Sequence, residues 1–185
     1  MLAAPSDRVL LADAAALGLL DAGWETRIED LQVEYTRLFA APGLDAIPVH
    51  QSVYTDVLRI EPAAAEALDD GIKFSGGEFH GYLGGESCGE LRRWYAAYGF
   101  EPPATEMPDH IAVELDFLAH LLDAQAAAME TGAADQAGAW GALAREFFER
   151  FPQRWLDAFA GKVAANAVSV FYGRVGAYLQ DAALC

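Results

Sequence analysis

A chain of 185 residues has room for one sizeable core, and nothing in its make-up demands two. It is 54% hydrophobic, yet no apolar run nears the roughly 18 to 20 residues that cross a bilayer, which excludes membrane insertion. With 12 Lys and Arg against 28 Asp and Glu the net charge is −16, a surface that repels phosphate backbones, argues against nucleic acid and favours basic partners.

Residues 6 to 22 predict a first helix, capped by Ser6 and ended near Gly23, with Leu10, Leu11, Leu17 and Leu20 on its core face. Asp7 and Asp13 interrupt the stretch and only Arg8 is basic, so it reads as a soluble amphipathic helix of a cytoplasmic protein, not a signal peptide. Glu25 to Ala41 predicts a second helix, with Ile28, Leu31, Tyr35, Leu38 and Phe39 inward and Pro42 and Gly43 as its stop. An irregular segment from Leu44 to Tyr54 carries Pro48, His50 and Ser52, and Pro62 to Asp70 suits a short Ala-rich helix. Glycines at 71, 76, 77, 81, 84, 85 and 89 disfavour regular helix, so 71–89 reads as a long loop or hinge, in part extended. Helical pattern resumes at Glu90 and runs through Leu91, Trp94, Tyr95 and Tyr98 to Gly99.

After Pro102, Pro103 and Pro108 comes a central helix at about 109 to 131. Asp109 stands where its carboxylate caps the first free N–H groups, and His110 falls in the first turn. Ile111, Leu115, Leu118, Leu122, Gln125 and Met129 recur at helical spacing and predict the buried face. Gly132 breaks this helix, and another spans about 134 to 151 with Trp140, Leu143, Phe147 and Phe148 on one side. Pro152 restarts the chain into Trp155, Phe159 and Val163, and a last helix covers Ala164 to Ala183. No alternating strand pattern of any length appears. The expected architecture is all-α, a single-domain bundle of about six to eight helices over residues 1–185, with a possible hinge at 71–89.

Between Arg93 and Arg145 there is no Lys or Arg, while Glu101, Glu106, Asp109, Glu114, Asp116, Asp123, Glu130 and Asp135 all fall there. A solvated acidic face is the plain explanation, and a surface for a cationic ligand is the sharper one. Catalysis finds little support. His80 and Cys88 share the glycine-rich stretch without a flanking signature, Cys88 and Cys185 read as ordinary thiols, and no second His cluster joins Asp109 and His110. Asp116 and His120 suit a surface ion pair better than a metal site, and Gly76-Gly77 and Gly84-Gly85 lack the lysine of a phosphate loop. No cofactor and no metal are expected.

The order of landmarks resembles the TorD/DmsD/NarJ-type chaperones of molybdoenzyme maturation. The matching pieces are Glu34-Tyr35-Thr36-Arg37-Leu38-Phe39 with Pro42-Gly43, Pro48, Ser52-Val53-Tyr54, Trp94-Tyr95 and Gly99-Phe100. Most specific is Pro108-Asp109-His110-Ile111-Ala112 with Glu114-Leu115 and Phe117, followed late by Phe147-Phe148 and Trp155. Residues 57 to 75 look like an insertion, and Phe151-Pro152 stands where the family often has a His.

The resemblance implies a cytoplasmic chaperone, not an enzyme. It would bind the twin-arginine leader and apo form of a molybdopterin-dependent oxidoreductase subunit until cofactor insertion and before export, as a monomer or domain-swapped dimer. The expected peptide site comprises Asp109, His110 and Glu114, with Trp94, Tyr95 and Pro108 beside them and Glu34 and Tyr35 as structural supports. Asp109 and Glu114 are expected to face a greasy groove and take the leader's arginines. The rivals are an acidic helical adaptor for a folded basic protein and an all-α metal-dependent hydrolase.

Overall fold

The computed structural model describes residues 8–40, 46–60 and 77–184, with side chains from Leu11 onward. Among the described residues there are eight α-helices: α1 (Arg8–Ala16), α2 (Ile28–Tyr35), α3 (Gln51–Thr55), α4 (Glu86–Ala97), α5 (Ile111–Glu130), α6 (Ala134–Arg150), α7 (Gln153–Asn166) and α8 (Val170–Ala183). A two-stranded antiparallel ribbon joins β1 (Val57–Ile60) to β2 (Gly77–His80). The architecture is the all-α bundle expected from periodicity. Ser6, the helix expected at 62–70, the hinge residues 71–76 and Cys185 lie outside the described residues.

Several boundaries differ from expectation for physical reasons. The first helix stops at Ala16 because Gly18 adopts φ 73°, which lets the Leu19 N–H turn back to the Ala14 carbonyl at 2.9 Å. The second helical stretch is three pieces, a 3₁₀ turn (Trp24–Thr26), α2 and a π-helical turn (Thr36–Ala40).

Within 71–89, Gly77–His80 is an extended strand, and a helix begins at Glu86, earlier than expected. Leu58 pairs with Phe79, and Arg59 with Glu78 through a 2.9 Å ion pair. Each strand has four residues and β2 is exposed throughout, so no period-two apolar signal develops. Helix α4 starts at Glu86, taking Cys88 and Gly89 into its first turns. The Asp56 carboxylate sits over that start so closely that any side chain at Gly85 would collide with it.

The core forms two apolar clusters. One gathers Leu11, Leu20, Leu31 and Leu38 against Trp155, Phe159 and Val163 of α7 and Phe171 and Tyr172 of α8. The other joins Leu91 and Tyr95 of α4, Phe117 and Leu121 of α5, and Phe147 and Phe151. Helix α5 spans both, since Ile111 belongs to the first and Val113 to the second. Its buried face is Ile111, Val113, Glu114, Phe117, Leu121 and Ala128, whereas Leu122 and Met129, expected inside, are exposed. The first turns of α5 are apolar nearly all round, so spacing alone selects more than one face.

Candidate functional site

Met107 to Ile111 crosses Val49 to Ser52 where the two clusters meet. The Gln51 N–H donates to the Asp109 carbonyl and the Ile111 N–H to the Val49 carbonyl, both at 2.9 Å. A single β-bridge pairs His50 with His110, and their half-buried rings meet edge to face with centroids 5.3 Å apart. Burial first, and His50 second, hold the His110 imidazole below its ordinary pKa, while the exposed Glu106 carboxylate pulls the other way. Glu106 also bears on Tyr35, whose phenol is pushed up by burial and then by that charge.

His110, not Asp109, is the N-cap of α5, its Nδ1 accepting the Ala112 N–H at 3.1 Å. Asp109 is 0% exposed and caps a different helix. Its Oδ2 accepts the Ser52 N–H at 3.0 Å and the Ser52 hydroxyl at 2.6 Å, at the start of α3, where His50 gives no side-chain cap. Asp56 repeats the arrangement at α4, its Oδ2 accepting the Ser87 N–H at 3.0 Å and the Ser87 hydroxyl at 2.9 Å. Glu34, also buried, accepts the N–H groups of Val168 at 2.6 Å and Ser169 at 3.0 Å just ahead of α8. Each of these acids brings negative charge to the positive end of a helix to which it does not belong.

Glu114 is likewise 0% exposed, and its Oε2 accepts the Trp155 indole N–H at 3.2 Å. Burial drives its pKa well above the ordinary carboxylate range, and the Asp109 charge adds to that. Gln51 Oε1, Asp109 Oδ1 and Glu114 Oε1 are buried without an N–H or O–H partner. The Cys88 thiol, a weak donor, lies against Asp109 and is pushed up to about 12, by burial first and that carboxylate second.

The expectation that Asp109 and Glu114 line an open groove is therefore corrected: both are closed to solvent. The start of α3 and the indole of Trp155 use these carboxylates internally. Tyr95 is 1% exposed and donates its hydroxyl to the Pro108 carbonyl at 2.7 Å, bracing the corner from beneath. Trp94 points elsewhere, into Tyr98, Phe147 and Phe151. Asp56 was not singled out from sequence, and His50, Ser52 and Trp155 stood there only as landmarks.

His120 does not pair with Asp116; its Nε2 meets the Tyr98 carbonyl at 3.1 Å. Among the described residues, no group of three or more His, Cys, Asp and Glu is placed to hold a metal ion, and no helix is long and apolar enough to cross a membrane.

The family described as Nitrate reductase delta subunit matches residues 4–161. No curated relative matches the chain.

Proposed function

Since the chain belongs to the nitrate reductase delta subunit family, the NarJ/TorD-type chaperones that mature a molybdoenzyme subunit and are not catalysts themselves, we propose that it is a cytoplasmic, single-domain chaperone for the twin-arginine leader and apo form of that subunit. It holds the subunit until the molybdopterin cofactor is in place and before export.

The observation that supports leader binding is the corner at His50, Glu106 and His110. Its backbone is fixed by the Gln51 and Ile111 hydrogen bonds, while Glu106 is exposed and both imidazoles are half open. A guanidinium carries five N–H donors and no acceptor, so it seeks an accessible carboxylate whose neighbours bring no opposing positive charge. Glu106 supplies the charge, and the lowered pKa of His110 keeps that ring neutral near pH 7. Pro108, Asp109, Glu114 and Tyr95 act behind this surface, holding the corner in shape.

Calorimetric titration of a synthetic twin-arginine leader into the protein tests this reading. Glu106→Gln is expected to weaken binding about tenfold, the loss of one charge-assisted contact of roughly 1.5 kcal/mol. Affinity should also fall as pH drops below the ordinary histidine pKa of about 6.5, because His110, whose pKa lies under that value, then gains charge and repels arginine. Equal binding of a leader whose paired arginines are replaced by lysine, or no effect of Glu106→Gln, would remove the corner from the binding surface.

A further inference from the structure

Half way along α5 the bundle opens. A trough of about 1150 Å³ lies between α5, α6 and the end of α8. Leu118, Gly138, Ala142 and Phe148 line it, and Leu122 and Tyr178 stand at its edge, 47% and 53% exposed. Glu146, Glu149 and Asp181 lie along it against a single base, Arg145.

The trough is larger than the roughly 300 to 1,000 Å³ of small-molecule pockets and is open to solvent, so it suits a chain segment. Its walls are helices whose backbone groups are already paired, and it offers no strand edge. An apolar trough between helices is the kind of seat that takes the apolar face of an amphipathic helix, whose backbone pairs within itself. Apolar side chains then face Leu118, Leu122 and Phe148, and the carboxylates select lysine or arginine on its flank.

Gly138 is a separate sign. Glycine inside a helix is destabilising relative to alanine, so its presence asks for a reason. At Gly141 a Cβ would lie 2.6 Å from Gln125 Nε2, the end of a flexible side chain that would have to move aside. At Gly138 a Cβ would meet nothing within 4 Å, and its φ is not positive. The bundle itself gains nothing from this glycine, whereas a helix laid in the trough gains close approach.

We propose that this trough is a second docking site, for a basic amphipathic helix in the body of the client enzyme. The inference rests on the reading of the chain as a maturation chaperone, and the site shares no residue with the His50–His110 corner.

The test uses the full chain, the apo catalytic subunit with its leader removed, and the isolated leader peptide, each binding measured by calorimetry. Gly138→Trp fills the trough, Glu146→Arg with Glu149→Arg reverses its charge, and Gly138→Ala is the control that leaves it open. The expected result is at least a tenfold loss of leaderless-subunit binding for the first two variants, none for the control, and unchanged leader affinity throughout. Equal binding of the leaderless subunit by all variants overturns the proposal, and so does a loss confined to the leader peptide, which would make the trough the leader's own seat. If the unaltered protein binds neither probe, the chaperone reading itself fails and the trough proposal falls with it. Photocrosslinking from position 138 to a predicted helix of the leaderless subunit would support the assignment; crosslinks only to extended segments would overturn it.

Discussion

Helix α5 joins two polar regions with opposite relations to water. At its start Asp109, just ahead of the cap, and Glu114, in the first turn, are sealed beneath α3 and Trp155, and their oxygens serve the fold. Two to three turns further on, the same helix lines an open trough edged by Glu146 and Glu149 of α6. Acidity alone does not mark a binding surface. A carboxylate with a helix start or an indole to satisfy is structural material, while one with none is available to a partner.

The sealed end is the one to break first. Asp109→Ala leaves the Ser52 N–H and hydroxyl buried without an acceptor and α3 without its cap, a loss of about 3 kcal/mol. At roughly 2 to 4 °C per kcal/mol for a chain of this size, the melting temperature should drop by about 6 to 12 °C. Ser52→Ala in the same background should add little; full additivity would mean that the pair does not act as one unit. Glu34→Ala should cost about 2 kcal/mol by the same logic at α8, read as a lower urea midpoint with unchanged slope.

A subtler change sharpens the contrast. Glu114→Gln keeps an oxygen for the Trp155 indole but removes a group whose native pKa is raised. Such a carboxyl holds its proton longer when folded, so its contribution is full below the unfolded pKa and is lost as pH rises toward the native one. The variant should melt higher than the parent at pH 8 and alike at pH 4; a parallel shift at both would assign the effect to packing. At the open end, Gly138→Ala should raise stability by about 0.5 to 1 kcal/mol, the smallest of these effects, because the added methyl meets nothing within 4 Å. A fall in melting temperature would show that the trough closes over that position in solution.

The helices were legible in the chain because their apolar spacing runs for several turns, as in Leu91 and Tyr95 or Phe147, Phe151, Trp155 and Phe159. The ribbon was not, since strands of four residues carry too little alternation. Asp109 could be located but not understood. In Pro-Asp-His it looks like the cap of the helix that follows, and only the fold brings Ser52, 57 residues earlier, to its carboxylate. Glu114 had a local sign, a lone acid within Ile-Ala-Val-Glu-Leu, which marks burial as readily as ligand contact. The trough had none, because its wall is assembled from three helices and its most telling residue, Gly138, is defined by what does not touch it.

The exchanged caps tie distant parts of the chain into a single opening event. The amides that begin α8 rest on an acid 134 residues upstream, those of α3 on one 57 residues downstream, and those of α4 on one 31 residues upstream. A growing polypeptide leaving the ribosome thus has no acid to cap α3 until the 109–110 corner has emerged, whereas the acceptor for α8 is made long before. In deuterium exchange, the first amides of α3 and α4 should become labile together, because the residue that ends α3 is the cap of α4. Between them stands Asp56, which closes one helix and starts the next.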